Sequence, residues 1–187
     1  MINRFKKEIV SKMVLKNKID NIKEHKDLLF KYKGCVYPDY IRRGNAIKYI
    51  LPYAKYFLNG DILDIGGTKE WHYPESEYIN INKGDGYHAM KLPNKKYDGI
   101  ISSHCLEHLK SPFYSLKYWT NRLVRGGCLF LYLPHENMRY WSCDNPLHLH
   151  VFTPEIIKCW LEDLGYKNII TSGQDLYYSF SVIGWKK

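Results

Sequence analysis

At 187 residues the chain has the length of one domain, enough to bury a core without disulfide or metal staples. With 45% hydrophobic residues, 17 Tyr, 7 Phe and 5 Trp it is globular rather than disordered, and it carries a formal charge of +9. Five cysteines without a Cys-x-x-Cys pair argue against a disulfide framework or zinc ribbon and point to the cytoplasm; the longest apolar run, residues 128–133, is too short to span a membrane.

The charge is lopsided. Residues 1–33 hold ten Lys/Arg and four Asp/Glu, a net +6 of the +9. Ile2, Phe5, Ile9 and Met13 recur at helical spacing, and Ile19, Ile22 and Leu29 continue the stripe. Residues 1–44 are therefore expected to form a basic helical extension packed on a core of residues 45–187. Its lysine-rich face serves solubility or attracts an anionic substrate, and no arginine–aromatic interleaving marks a nucleic-acid binder. Residues 34–44, with Pro38, read as a connecting loop. Residues 46–58 place 47, 50, 51, 54, 57 and 58 on one helix face, which Pro52 is expected to kink or interrupt and Gly60 to follow as the stop.

Residues 61–68, Asp-Ile-Leu-Asp-Ile-Gly-Gly-Thr, read as a buried parallel strand ending at a glycine turn. Ligands of open α/β sheets lie outside the strand C-termini, so Asp64, Gly66 and Gly67 are candidate ligand contacts, with Asp64 needed for binding rather than folding. From 68 to 77 there is space for about one helical turn. Residues 78–82 alternate as a second strand, and 84–86 form a turn. Residues 97–109, Tyr-Asp-Gly-Ile-Ile-Ser-Ser-His-Cys-Leu-Glu-His-Leu, read as another buried strand closed by a polar cluster. Ser111 and Pro112 then open a helix carrying Phe113, Leu116, Leu123 and Val124 inward and stopping at Gly126-Gly127. Residues 128–133 form a further strand. Residues 134–149, rich in Trp, Tyr, Asn and His, lack periodicity and read as an active-site loop or lid. Thr153-Pro154-Glu155 opens a second helix ended by Gly165, and 167–171 with 177–185 read as an antiparallel pair.

Together the 61–68 stretch and the Leu106-Glu107-His108 segment after Ser103-His104 resemble the first and fourth strands of class I S-adenosylmethionine-dependent methyltransferases, in their branch acting on small molecules and sugars. The resemblance runs from about Asn45 to the C-terminus. It implies an α/β, doubly wound Rossmann-like sheet, mostly parallel with a closing antiparallel strand, with reduced helices and a short or missing third strand. It also implies S-adenosylmethionine as cofactor, the acidic strand end and glycine loop cradling its methionine part. On this likeness the cofactor-binding set is Asp64, Gly66, Gly67, Asn82, His88, Ala89, Ser103 and His104. Asn82 stands where an acidic residue commonly holds the ribose, and His88 where an Asp is usual on the adenine side. The glycine loop, Gly66-Gly67-Thr68, departs from Gly-x-Gly.

For catalysis, an imidazole of near-neutral pKa suits deprotonation of an attacking hydroxyl. His104 is placed first and His148 second, with Glu107 acting, orienting a histidine or capping a helix. His148, His150 and Asp144 could make a metal site, but no three-ligand spacing is fixed and none is expected. Cys105 reads as packing. The expected function is cytoplasmic O-methylation of a small hydroxylated acceptor such as a sugar or sugar nucleotide. A degenerate methyltransferase fold used as a scaffold, and nucleic-acid methylation, stay open as alternatives.

Overall fold

A computed structural model describes residues 29–43, 46–142 and 146–187. The basic stripe over residues 1–28 and Asp144 lie outside the described residues. Where helix and loop are expected, the described residues open with a hairpin, β1 (Leu29–Tyr32) and β2 (Cys35–Pro38), paired antiparallel from Leu29↔Pro38 to Tyr32↔Cys35. Lys33 and Gly34 both have positive φ, 47° and 82°, as a tight two-residue hairpin turn requires. The hairpin's short, half-exposed alternation was hidden behind the lysine-rich stretch. Its aromatic side docks by ring contacts of Phe30 and Tyr32 with Tyr140 and of Tyr37 with Tyr178.

Helix α1 (Ala46–Phe57) buries Ile47, Ile50, Tyr53, Ala54 and Phe57 and runs on across Pro52. Pro52 is exposed, so the Lys48 carbonyl that lacks a helical donor faces the solvent side. The main sheet holds β3 (Ile62–Ile65), β4 (Glu77–Ile79), β5 (Tyr97–Ser103), β6 (Leu123–Pro134), β7 (Tyr166–Thr171) and β8 (Ser179–Lys186), in the order β4-β3-β5-β6-β8-β7. The four strands from β4 to β6 are parallel, and β8 is antiparallel to both β6 and β7. The doubly wound sheet with an antiparallel close is thus present. Between β4 and β5 only an isolated bridge, His88↔Lys91, stands where a third strand was expected to be short or missing.

Period-two alternation sorts the core into two layers. Ile62, Ile101, Phe130, Tyr132 and Ile183 face α1. Leu63, Ile65, Ile100, Leu129, Leu131 and Val182 face α2 (Pro112–Thr120) and α3 (Pro154–Asp163), which contribute Leu116, Trp119, Ile157 and Leu161. Thr153 caps α3, its hydroxyl accepting from the Ile156 N–H at 3.3 Å. Ser111 precedes α2 but makes no side-chain cap, and Leu123 and Val124 already belong to β6. That helix is shorter than expected because its apolar tail continues as strand. No helix among the described residues is long and apolar enough to cross a membrane.

Candidate functional site

From β3 the chain passes to β4 on one side and returns to β5 on the other. The C-terminal ends of β3 and β5 therefore form the topological switch point, where a crevice opens. Two hollows lie there. A larger one of about 330 Å³ is lined by Asp64, Gly66, Gly67, Ser103, His104 and His148 below, and by Arg42, Trp71, Tyr140, Trp141 and Tyr177 above. A second of about 310 Å³ is lined by Gly66, Asn80, His88, Ala89, Met90 and His108 among others. Gly66 borders both.

The glycine turn is held by the protein itself. Gly66 has φ +101°, and a Cβ there would lie 2.7 Å from the Cys105 Cβ. At Gly67 a Cβ would lie 2.8 Å from that of His72 and 2.9 Å from Asp64 Cγ. Gly66→Ala is accordingly expected to lose roughly 1–3 kcal/mol of stability through strain and overpacking, read as a lower urea midpoint at unchanged slope.

Asp64 is 1% exposed and accepts the Tyr73 N–H at 2.7 Å, with a further backbone bond from Gly67. Burial pushes its carboxyl up to about 7, against these two hydrogen bonds. Its carboxylate thus organises the 67–73 loop while lining the larger hollow, a structural part that the sequence reading did not give it.

Of the residues expected to meet a cofactor, Asp64, Gly66, Gly67, Ser103 and His104 converge on the larger hollow, and His88 and Ala89 line the second. Asn82 does not belong with them. Strand β4 ends at Ile79, Asn82 is exposed in a 3-10 turn over Ile81–Lys83, and Asn80 takes the place at the strand end. Asn80 donates from Nδ2 to the Gly66 carbonyl at 3.3 Å and accepts from the Asn82 N–H at 3.0 Å. The early end of the strand could not be read from an alternation that runs on to residue 82. Ala89 is held from behind by the Trp119 indole, which donates to its carbonyl at 2.7 Å. The Ser103 hydroxyl is buried without a hydrogen-bond partner among the described residues.

His104 follows β5 with φ 48°, a left-handed conformation that only special surroundings sustain in a non-glycine residue. Its ring packs edge-on against Trp141 at 4.7 Å, and its Nε2 lies 2.9 Å from the Ser179 hydroxyl. Burial, followed by the nearby His148 and His108, lowers its pKa to about 3. This ring is neutral at physiological pH and a far weaker base than an ordinary histidine. Glu107 and His148 are buried beside it, and burial pushes the Glu107 carboxyl up to about 8. Burial likewise raises the Cys105 thiol to about 12, as a packing residue requires. The aromatic wall of Trp71, Tyr140, Trp141 and Tyr177 is not legible residue by residue in the sequence. The Trp/Tyr-rich, aperiodic stretch after Pro134 was the available signal for two of these.

No protein-family model matches the chain, and no curated protein matches it in sequence. Solved structures do match in fold. A SAM-dependent methyltransferase from Archaeoglobus fulgidus is 20% identical, with a TM-score of 0.60 over 79% of this chain and 97% of that one. A possible histamine N-methyltransferase from Thermotoga maritima is 15% identical, with a TM-score of 0.60 over 79% and 92%. Phosphoethanolamine N-methyltransferase 2 of Haemonchus contortus, solved with phosphomonomethylethanolamine and S-adenosylhomocysteine, is 12% identical, with a TM-score of 0.57 over 79% and 56%. The order of strands, the switch-point crevice and these likenesses agree: the chain has the fold of the class I S-adenosylmethionine-dependent methyltransferases.

Proposed function

We propose that the protein is a methyltransferase that binds S-adenosylmethionine across Gly66 and methylates a small hydroxylated acceptor, such as a sugar or sugar nucleotide, in the larger hollow. The observation that carries this reading is the pair of hollows meeting at Gly66 outside β3 and β5. One is bounded by a carboxylate and a serine hydroxyl unpartnered among the described residues, suited to an amino-acid moiety; the other, with Ile65, Ile79, Ala89 and Met90, suits a flat apolar base. Asn80 would hold the ribose by amide hydrogen bonds. When bound, the cofactor supplies a methyl group already activated on a sulfonium.

The chain's own work is then positioning and exclusion of water. Trp141 and Tyr177 wall the hollow with their ring faces and edges, a surface that also favours a cation. His104, neutral and fixed by Ser179 and Trp141, orients the acceptor and takes up its proton only as charge develops. His148 and Glu107 complete the proposed catalytic set. In the same reading, the basic charge of residues 1–44, set apart from a core of 45–187, draws in an anionic acceptor, in the cytoplasm. Residues 29–43 of that stretch are the hairpin and a 3-10 turn.

Calorimetry with S-adenosylmethionine and S-adenosylhomocysteine tests the reading, followed by release of S-adenosylhomocysteine with a panel of sugars and sugar nucleotides. Saturable binding of both is expected, and no heat at millimolar ligand would favour the scaffold alternative. With an acceptor in hand, His104→Asn, which tolerates the left-handed backbone, is expected to keep cofactor affinity and lose at least about tenfold in turnover. Unchanged turnover would remove His104 from the reaction.

A further inference from the structure

Glu107 lies in a 3-10 turn, Leu106–His108, just after His104, which lines the larger hollow. It is fully buried, and among the described residues neither carboxylate oxygen has a hydrogen-bond partner other than its own backbone N–H. Native proteins seldom leave such a group unanswered. Its neighbours are histidines: His104 Nδ1 stands 3.7 Å and His108 Nε2 3.8 Å from Oε1, both too far for a hydrogen bond. Ligand atoms of Glu107, His108 and His148 all lie within 4.8 Å of one another.

The protons of two of these rings can be assigned from their partners. His108 Nδ1 is 2.6 Å from the Leu147 carbonyl, and His148 Nδ1 is 2.5 Å from the Trp141 carbonyl. A carbonyl oxygen only accepts, so each ring carries a proton on Nδ1, and in its neutral form keeps a lone pair on Nε2. The arrangement is that of metal-binding histidines, whose outer nitrogen is fixed by a backbone carbonyl. The cluster then offers two imidazole nitrogens and a carboxyl group, whose proton, favoured by burial, a bound metal ion would displace. The Leu149 N–H donates to the Glu107 carbonyl at 2.9 Å, and His150 Nε2 lies 2.9 Å from the Leu109 carbonyl. These bonds lock the His148 segment along the Glu107 turn and take His150 away from the cluster.

We infer that Glu107, His108 and His148 form a binding site for a zinc-class divalent metal ion. Two imidazoles and one carboxylate suit such an ion better than magnesium or calcium, which prefer all-oxygen shells. Three protein ligands leave a coordination position for water or an acceptor oxygen. Bonds of ~2.0–2.1 Å in tetrahedral array set ligand atoms about 3.3 Å apart, so the 3.8 Å pair closes by about half an ångström and a pair as wide as 4.8 Å by about 1.5 Å, through turns of the side chains. This replaces the expectation of no metal. The spacing that discouraged it sought a third ligand near His148, whereas the turn after β5 supplies two. Because His148 also lines the larger hollow, the ion would stand beside His104 and staple the His148 segment to the turn after β5. The site rests on its own residues and not on the proposed reaction.

Protein stripped with a chelator and dialysed is titrated with Co²⁺, followed by visible absorption, and with Zn²⁺, followed by calorimetry and thermal unfolding. One equivalent per chain and a higher unfolding temperature with Zn²⁺ are expected. Glu107→Gln keeps the shape of the carboxyl, and His108→Ala removes a partly exposed ring, so both variants should fold. Each is expected to lose about a hundredfold or more in affinity, while His150→Ala binds as wild type. Absence of a Co²⁺ spectrum and of Zn²⁺ stabilisation would overturn the site in favour of a proton shared among Glu107 and its histidines. Stoichiometric binding that survives both substitutions would overturn the ligand set. S-adenosylhomocysteine binding measured in chelator reports separately on the cofactor cleft.

Discussion

Asp64→Asn is expected to unfold at a higher temperature than wild type at pH 8 and to bind the cofactor at least tenfold more weakly. The stability gain follows from where the carboxyl titrates. Its ordinary value is 3.8, and burial raises it to about 7 in the folded chain. Between those values the folded protein holds a proton that the unfolded chain has released. Stability therefore falls as pH rises from about 4 to 7, and is level above. Three pH units correspond to at most ~4 kcal/mol. Weaker bonds from the Tyr73 and Gly67 N–H groups to an amide oxygen take back part of this, leaving roughly 1–3 kcal/mol in favour of the variant. At pH 4 the two proteins should melt within a degree or two of each other. Binding moves the other way, because a charge-assisted hydrogen bond is worth ~1.5–3 kcal/mol. For wild type, a cationic ligand group beside Asp64 favours the ionised form, so affinity should rise with pH up to about 7 and proton release should accompany binding there. Calorimetry in buffers of different ionisation enthalpy measures that release. A variant less stable than wild type at pH 8 with full cofactor affinity would show that Asp64 serves the loop alone.

The strands that carry the site were readable because their apolar runs end abruptly in turn residues. Ile62 to Ile65 stops at Gly66-Gly67, and Tyr97 to Ser103 stops at a histidine no strand continues through. The antiparallel close was visible as two β-rich runs flanking Ser172-Gly173-Gln174-Asp175. Other features answer to partners distant in sequence. Strand β4 ends where its pairing with Ile65 ends, at Ile79, although its own alternation runs on. The hairpin over Leu29–Pro38 is fixed by Tyr140 and Tyr178, far along the chain. His104 reads as an ordinary histidine until the structure buries it beside His108 and His148, which lowers its basicity. The same crowding turns Glu107, a residue with several plausible roles in sequence, into a buried carboxyl group beside imidazole nitrogens. Local pattern carried the scaffold, and tertiary burial set the chemistry.

Trp119 is expected to link stability to the proposed adenine side of the cleft. It is fully buried in the layer formed with α2 and α3, and its indole N–H donates to the Ala89 carbonyl at 2.7 Å. Trp119→Ala removes the side chain and leaves a cavity in the core layer that also holds Leu63, Ile100 and Leu116, at a cost of ~3–5 kcal/mol. Against a total of roughly 5–15 kcal/mol for such domains, that is a large share. Urea unfolding should show it as a much lower midpoint. Trp119→Phe separates packing from placement. It keeps an aromatic ring and loses the bond that seats Ala89, which lines the second hollow between His88 and Met90. Its stability loss should be smaller, about 1–2 kcal/mol for the missing bond and the lost ring volume. Its affinity for S-adenosylhomocysteine should nevertheless fall severalfold, because residues 88–90 are no longer fixed from behind. Adenosine alone should show the same loss, whereas a ligand probing only the larger hollow should not. Full adenosine affinity in Trp119→Phe would mean that the His88↔Lys91 bridge places the segment unaided.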